Sequence, residues 1–151
     1  MKKVIIMRGI PGSGKSTYVK EHFSEALVCS ADNYFEELAA LNNTSYLEEF
    51  NRALVPMAHA FCRDSFNHAT EVMDEPLVVV DNTNIRNWEY QFDYAESALR
   101  RGYEVHIVEI PFSRDMAEEY HRRNKHGVPL EVIKGMMDAY EPSENALIFS
   151  N

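Results

Sequence analysis

The stretch that decides the fold is Gly9-Ile10-Pro11-Gly12-Ser13-Gly14-Lys15-Ser16-Thr17. It fits the pattern G-x-x-x-x-G-K-[ST], in which a glycine-rich turn wraps around phosphate groups. The apolar run before it, residues 4–7, is typical of a buried parallel strand, and residues 16–22 can form a helix. A strand, a glycine turn and a helix N-terminus together direct backbone N–H groups and the positive end of a helix dipole at an anion. The sequence therefore predicts a phosphate-binding loop.

The loop has the residue types that hold a nucleoside triphosphate together with a magnesium ion. Its glycines let the backbone approach the phosphates without Cβ clashes. The ammonium group of Lys15 is expected to reach the β- and γ-phosphates, and the hydroxyl of Ser16 or Thr17 to ligate Mg²⁺. The predicted cofactors are ATP and Mg²⁺. The predicted cofactor-binding residues are Gly9, Pro11, Gly12, Ser13, Gly14, Lys15, Ser16 and Thr17.

Length, charge and cysteine content narrow the class of protein. The 151 residues suit one domain that spans residues 1–151. A net charge of −9 weighs against binding to nucleic acid by bulk electrostatics, although a local basic groove could still accept one strand end. Cys29 and Cys62 are too few for a disulfide framework, so we expect reduced core residues. Because no apolar run reaches membrane-spanning length, we expect a cytoplasmic protein with no membrane partner.

Apolar runs alternate with helical patterns along the chain, and this alternation predicts an α/β fold. Beyond residues 4–7, strands are expected at residues 26–29, 77–80, 103–110 and 146–149. The run 77–80 is apolar on both faces, which is typical of a strand in the middle of a covered parallel sheet. Right-handed crossovers between such strands give a parallel sheet of about four to five strands flanked by helices, which is the P-loop NTPase or kinase fold.

Apolar residues at helical spacing predict the helices. A short helix within residues 34–45 is followed by a long one over residues 46–73, kinked or divided at Pro56. The apolar face of the long helix is expected to contain Leu47, Phe50, Leu54, Met57, Phe61, Phe66, Ala69 and Met73. The next helix has an apolar stripe made of Trp88, Phe92, Ala95 and Leu99.

Two more helices are expected towards the C-terminus. One begins near Ser113, a candidate N-cap, and ends at His126 and Gly127. Pro129 can occupy the first position of the last helix. The apolar face of that helix is predicted to contain Leu130, Ile133, Met137 and Tyr140.

Two acidic residues follow predicted strand ends, where parallel sheets bind their ligands. Asp32 comes shortly after strand 26–29 and is a candidate base for the proton of an attacking hydroxyl; the alternative is that it caps the next helix. Asp81 follows strand 77–80 and is expected to reach Mg²⁺, often through water. The alternative for Asp81 is a turn residue in the run Asp81-Asn82-Thr83-Asn84.

A cluster of cations stands out in this acidic chain. Arg122, Arg123 and Lys125 lie close together, and Gly127 and Pro129 follow them. Cations are generally favourable in the last turn of a helix, which is one explanation for the cluster. The other is a lid, over about residues 113–129, that closes on ATP with an arginine stabilising transition-state charge. We favour the lid, because the glycine and the proline suit a hinge.

Four segments together resemble a known group of small P-loop kinases. They are residues 8–17, 30–35, 80–84 and 123–129. The group is the polynucleotide 5′-hydroxyl kinase-like group, related to AAA-type P-loop kinases. It includes phage-type polynucleotide kinase domains and the kinase domain of certain eukaryotic ubiquitin-ligase-binding proteins. The resemblance extends in the same order to about residue 140.

The resemblance implies roles for the residues at matching positions. Asp32 matches the general base of the group, and Asp81-Asn82 matches the segment after the central strand that meets the acceptor nucleotide. The implied catalytic residues are Lys15, Asp32, Arg122 and Arg123. The implied substrate-binding residues are Asp32, Asp81, Asn82 and Asn84, and the implied metal ligands are Ser16 and Asp81.

The chain departs from the phage-type pattern at Phe35, where the phage enzyme has an arginine that helps hold the phosphate of the acceptor. This departure bears on recognition of a nucleotide end more than on ATP use. The leading expectation is an ATP-dependent kinase for the 5′-hydroxyl of a polynucleotide, so that the partners are ATP and a nucleic-acid or nucleotide acceptor. One alternative is a kinase for another hydroxyl, on a nucleoside, on RNA, or on a hydroxymethylated base such as 5-hydroxymethyluracil. The other is a nucleotide-dependent binding module with slow ATP hydrolysis.

Overall fold

The strands of the protein form one parallel sheet. The computed structural model describes residues 1–143 together with Leu147–Ile148. The strands are β1 (Lys3–Arg8), β2 (Leu27–Cys29), β3 (Leu77–Asp81), β4 (Glu104–Glu109) and β5 (Leu147–Ile148). Within the described residues their order across the sheet is β2-β3-β1-β4-β5, and every neighbouring pair is parallel. The predicted fold class is confirmed; the outer residues of the last predicted strand, Ala146 and Phe149, lie outside the described residues.

Helices connect the strands and cover both faces of the sheet. They are α1 (Lys15–His22), α2 (Asp32–Asn42), α3 (Tyr46–Glu49), α4 (Val55–Asn67), α5 (Trp88–Tyr90), α6 (Ser97–Arg100), α7 (Ala117–Arg123) and α8 (Leu130–Ala139). Short 3-10 turns at Arg52–Leu54 and Arg114–Met116 precede α4 and α7. Wider π-helical turns at His68–Val72 and Gln91–Glu96 follow α4 and α5. Over the part of the chain described, no helix is long and apolar enough to cross a membrane.

The core has one layer on each side of the sheet. Alternate residues of β1 face opposite layers: Val4 and Ile6 pack on the α4 side, whereas Ile5 and Met7 pack on the α1 side. Val78, Val79 and Val80 of β3 are all fully buried, which confirms that this strand lies inside the sheet. Burial of an aliphatic side chain of this size contributes about 1.5–3 kcal/mol, so the apolar runs of β1 and β3 hold the sheet between its helices.

The strand register brings the carboxyl ends of three strands to one edge. Met7 of β1 pairs with Asp81 of β3, and Cys29 of β2 pairs with Val80. The glycine loop after β1, the start of α2 and the segment after β3 therefore leave the sheet next to one another. This edge holds the candidate site.

The predicted long helix over residues 46–73 is interrupted. Its first part ends at Glu49, and α4 begins at Val55 with Pro56 in its first turn, which confirms the division at this proline. The predicted apolar face is only partly correct, because Phe66 and Ala69 are buried whereas Leu47, Phe50, Met57 and Met73 are exposed. The interruption resets the helix phase, and the buried face of α4 is instead formed by Ala58, Cys62 and Phe66.

The predicted stripe in the next helix is wrong. Trp88, Phe92 and Leu99 are exposed, and Tyr90, Tyr94 and Ala98 are buried in their place. The buried residues recur every four positions, as on a helical face, but tyrosines form this face in place of the more apolar Trp88 and Phe92. Of the predicted stripe, only Ala95 packs against the core.

The last two helices also differ from prediction at their ends. Helix α7 ends at Arg123, before the predicted end at His126, because Asn124 adopts an extended conformation (φ −67°, ψ 124°). Ser113 precedes the 3-10 turn without a side-chain cap. Pro129 is the residue before α8 and is extended (φ −61°, ψ 148°), so Leu130 is the first helical residue.

Candidate nucleotide-binding site

The predicted phosphate loop connects β1 to α1 as a tight turn. Gly12 and Gly14 have φ angles of 80° and 104°, in the left-handed region that favours glycine. The stem of Lys15 folds back over Gly9, where a Cβ would lie 3.0 Å from Cγ of the lysine. The amide of Gly9 donates a hydrogen bond of 3.0 Å to the carbonyl of Thr83 and joins the loop to the segment after β3. Pro11 lies in the same turn, and Thr17 lies in the first turn of α1.

Ser16 and Asp81, the two predicted metal ligands, are brought together. The Ser16 hydroxyl donates to Oδ2 of Asp81 at 3.2 Å. The other carboxylate oxygen, Oδ1, is buried and has no hydrogen-bond partner within residues 1–143. A buried oxygen of this kind suits a cation or its bound water. Mg²⁺ typically takes one or two protein ligands and keeps several waters and phosphate oxygens, so this pair fits Mg²⁺ bound with a triphosphate.

Asp32 is placed at the same edge as the first residue of α2. The N-cap position belongs to Ala31, and the Asp32 amide donates a hydrogen bond of 3.2 Å to the hydroxyl of Ser30, so the carboxylate of Asp32 does not have the capping geometry that was the alternative. Its Oδ1 accepts a hydrogen bond of 2.7 Å from the hydroxyl of Tyr46. Its Oδ2 lies 3.3 Å from Nδ1 of His126.

Three residues around Asp32 were missed by sequence reasoning. His126 lies between two carboxylates, because its Nε2 is 3.5 Å from Oε1 of Glu36. The rings of Tyr46 and His126 are in contact, with centroids 4.1 Å apart. Glu36 follows Asp32 by one helical turn and was recognisable from that spacing. Nothing in the local sequence signals Tyr46 or His126, because each reaches Asp32 from a different part of the chain.

The two predicted substrate-binding asparagines hold backbone segments together. Oδ1 of Asn82 accepts a hydrogen bond from the Ala31 amide at 2.9 Å, and its Nδ2 donates to Sγ of Cys62 at 3.5 Å. Asn84 is buried, has a φ of 47°, and donates from Nδ2 to the carbonyl of Met7 at 2.8 Å. Both side chains therefore join the ends of β1, β2 and β3, and Asn84 is not exposed to a ligand.

Helix α7 packs against the phosphate loop through its buried side. Ala117 and Tyr120 form a core cluster with Ile10 of the loop and with Ile133 of α8. A Cβ at Gly12 would overlap the carbonyl oxygen of Tyr120. Most of the predicted lid is therefore a packed helix, and only residues 124–129 of it lie between α7 and α8.

The two candidate lid arginines lie at the exposed end of α7. Arg122 pairs with Glu119, with Nε donating to Oε2 at 2.9 Å, and this hydrogen bond lowers the pKa of the Glu119 carboxyl. Arg123 lies over the Tyr120 ring, with its guanidinium carbon 5.4 Å from the centroid. Both guanidinium groups thus have partners within α7, and reaching a phosphate would require them to leave these partners.

A buried ion pair lies at the end of β1, directly before the phosphate loop. Arg8 is fully buried, and its Nη1 lies 2.6 Å from Oε1 of Glu109 on the neighbouring strand. Arg8 also donates to the carbonyl oxygens of Asn84, Ile85 and Glu141. In the sequence, Arg8 is recognisable only as part of a motif, and its pairing with Glu109 was missed.

Comparison with known proteins identifies the family. Residues 4–143 match a family model described as an AAA domain. The chain belongs to this family. The matched range includes the phosphate loop, Asp32, Asp81 and α7.

A relative of this AAA domain is human NEDD4-binding protein 2, which is 30% identical to it over 142 residues. The match covers 91% of the present chain and 8% of NEDD4-binding protein 2. The chain therefore spans only a small part of the length of this relative.

Solved kinase structures share the fold of the AAA domain described here. A Chloroflexus aurantiacus protein that has been assigned as a kinase superposes with a TM-score of 0.68 at 12% identity, covering 99% of this chain and 88% of that one. A gluconokinase from Sinorhizobium meliloti gives a TM-score of 0.60 at 16% identity, covering 98% of this chain and 82% of the gluconokinase chain. The APS kinase of Mycobacterium tuberculosis, in complex with AMPPNP and APS, gives a TM-score of 0.59 at 20% identity. This match covers 99% of the present chain and 88% of the APS kinase chain. The chain thus has a P-loop kinase fold.

Proposed function

We propose that this protein is an ATP-dependent kinase that transfers the γ-phosphoryl group to a hydroxyl. The observation that carries the proposal is the contact between the Ser16 hydroxyl and the Asp81 carboxylate, 3.2 Å apart beside the glycine loop. A hydroxyl and a carboxylate in this position would suit an Mg²⁺ ion that binds together with a triphosphate. Catalysis of phosphoryl transfer depends mainly on positioning and electrostatics, which these groups and the loop amides can supply.

In the proposed reaction Asp32 is the general base. Its carboxylate accepts the proton of the acceptor hydroxyl, whose oxygen attacks the γ-phosphorus while the bond to the β–γ bridging oxygen breaks and ADP leaves. Lys15 and the amides of the loop hold the phosphates. Ser16 and Asp81 would hold Mg²⁺, which would supply positive charge next to the phosphates. One of the arginines of α7, Arg122 or Arg123, stabilises the charge that develops on the transferred group.

The 5′-hydroxyl of a polynucleotide is the leading acceptor. The resemblance of segments 8–17, 30–35, 80–84 and 123–129 to polynucleotide kinase-like proteins supports it. We further propose that residues 1–151 act as one domain in a reducing, cytoplasmic compartment, where the buried free thiols of Cys29 and Cys62 remain reduced.

A small, uncharged hydroxyl acceptor is the second candidate, and the charge near Asp32 favours it. Glu36 lies one helical turn from Asp32, and a groove of about 520 Å³ between α2 and α4 is lined by Glu36 and Glu37. Carboxylates there would repel the phosphates of a strand. Phe35, at the position of the phage arginine, is buried.

A transfer screen with γ-labelled ATP and Mg²⁺ tests the proposal. The acceptors are a 5′-hydroxyl oligonucleotide of DNA, one of RNA, a nucleoside, a DNA containing 5-hydroxymethyluracil, and gluconate. Label on the 5′ end of an oligonucleotide supports the leading acceptor, and label on the uncharged nucleoside supports the second candidate. Label on gluconate would contradict the argument from charge repulsion. Slow release of labelled phosphate to water, with no labelled acceptor, would favour a nucleotide-dependent binding module over a kinase.

A further inference from the structure

The carboxylate of Asp32 has two neighbours to which the proposed reaction assigns no part. Tyr46 belongs to α3, and His126 belongs to the loop of residues 124–129, which we call the α7–α8 loop. Each of them is adjacent to one oxygen of Asp32. Both come from elements separated in sequence from α2, so they link Asp32 to two other parts of the fold.

The hydroxyl of Tyr46 donates a hydrogen bond to the carboxylate of Asp32. The donor–acceptor distance is 2.7 Å, and burial together with this hydrogen bond raises the pKa of the Tyr46 phenol above its usual range. The phenol therefore keeps its proton and acts as a donor. Its ring is fixed between aromatic neighbours, with centroids 5.6 Å from Phe35 and 5.9 Å from Phe50. A rigid donor of this kind holds one carboxylate oxygen in a single orientation.

His126 connects the α7–α8 loop to α2 by both of its ring nitrogens. Nδ1 faces Oδ2 of Asp32 at 3.3 Å, and Nε2 faces Oε1 of Glu36 at 3.5 Å. A neutral imidazole has one N–H, so only the protonated ring can donate to both carboxylates. Asp32 and Glu36 from α2, with the phenol of Tyr46 from α3, are the titratable groups that face the ring.

The backbone of the α7–α8 loop is shaped to present this ring. The amide of His126 donates to Oδ1 of Asn124 at 2.8 Å, and Gly127 has a φ of 68°. A Cβ at Gly127 would lie 3.1 Å from Leu47 of α3, so the loop rests closely on that helix. The loop is therefore in contact with both α2 and α3 at the position of Asp32.

We propose that Tyr46 and His126 are positioning residues for Asp32, and that His126 fastens the α7–α8 loop to α2 through Asp32 and Glu36. Docking of the loop and orientation of the carboxylate then depend on the same contacts. The catalytic consequence rests on the proposed function of Asp32 as the base. The fastening of the loop does not, because it follows from the contacts alone.

Amide hydrogen exchange of the whole protein, without ATP or acceptor, tests the fastening. We expect His126→Gln and Glu36→Gln each to speed exchange in residues 121–128 by about two- to fivefold, as expected for partly exposed ion pairs. Exchange in the double variant should be no faster than in His126→Gln, because replacing His126 already removes the contact with Glu36. Tyr46→Phe keeps the ring and should speed exchange by about twofold, because Asp32 loses its fixed orientation.

Tyr103→Phe is the matched control. The hydroxyl of Tyr103 donates to the carbonyl of Glu75 at 2.8 Å at the other end of the sheet, so its removal should leave residues 121–128 unchanged. Exchange in that segment that is the same in His126→Gln as in the wild type would overturn the fastening. Additive effects of His126→Gln and Glu36→Gln would overturn the shared connection.

Transfer kinetics test the positioning role separately. With the acceptor that the label screen identifies, Tyr46→Phe and His126→Gln should lower kcat by about tenfold or more, because a misplaced base is costly, while KM for ATP changes less than about twofold. Equal losses in kcat and in ATP affinity, or wild-type kcat in both variants, would contradict the positioning role. If the wild type transfers to no acceptor, the proposed function fails, and the exchange result still decides the fastening.

Discussion

The oxygens of Asp32 face Tyr46 and His126 rather than the amides of the helix that begins at this residue. Asparagine is as good a helix cap as aspartate but cannot accept a proton as a base. We therefore expect Asp32→Asn to lose transfer by about 10²- to 10⁴-fold, the usual contribution of a general base, while ATP affinity is unchanged. Single-turnover transfer and calorimetric ATP titration measure the two quantities. A transfer rate equal to that of the wild type would mean that Asp32 has only a structural role.

The two thiols of the chain are expected to be unreactive in the folded protein. Burial, with a smaller effect of Cys62, raises the pKa of Cys29 to about 12, and burial also raises the pKa of Cys62. Because the thiolate is the reactive form, neither should react near neutral pH until the protein unfolds. Mass spectrometry after iodoacetamide treatment, with and without urea, measures this. Labelling of the native protein as fast as of the unfolded chain would contradict the described burial.

At the scale of elements, the two arginines of α7 can have one of two roles, and alanine variants distinguish them. If Arg122 and Arg123 close on the γ-phosphate, their replacement by alanine should lower kcat more than ATP affinity, because the contact strengthens in the transition state. If they hold a strand, oligonucleotide affinity should fall, and the salt slope should become shallower by about 0.7 for each phosphate that is no longer neutralised. Turnover and oligonucleotide affinity at two salt concentrations distinguish these outcomes.

Lys134→Ala is the control for that comparison, because Lys134 is an exposed cation on α8 that lies 4.0 Å from Glu131. The control should match the wild type in both measurements. If the arginine variants also match it, the cluster is an exposed helix end with no part in transfer.

Elements with a local signature were predictable from the sequence, and elements set by distant contacts were not. The glycine loop and the positions of Asp32 and Asp81 after strands followed from pattern and spacing. The stripe containing Trp88 failed because the buried face of this helix is formed by Tyr90, Tyr94 and Ala98, and helical spacing alone does not distinguish it from a face that contains Trp88 and Phe92. His126 and Tyr46 could not be assigned, because only the folded chain brings them to Asp32.

At the scale of the whole molecule, the buried pair Arg8–Glu109 joins β1 to β4 beneath the loop. Removing one partner of such a pair leaves a buried charge, so Glu109→Gln should cost about 3–5 kcal/mol in free energy of unfolding. The exposed pair Lys2–Asp74 serves as control, and Asp74→Asn should cost less than about 1 kcal/mol. Urea unfolding measures both. Equal costs for the two variants would contradict a supporting role for the buried pair.

The most direct test of the account is a calorimetric titration with ATP, with and without Mg²⁺. Wild-type protein should bind ATP, and should bind it more tightly when Mg²⁺ is present. Lys15→Ala should lose about tenfold or more in affinity, because a charge-assisted contact to phosphate contributes about 1.5–3 kcal/mol. Lys20→Ala, which removes an exposed cation from the same helix, should bind like the wild type. A folded Lys15→Ala protein with unchanged ATP affinity would contradict the phosphate-binding loop on which the proposed kinase activity depends.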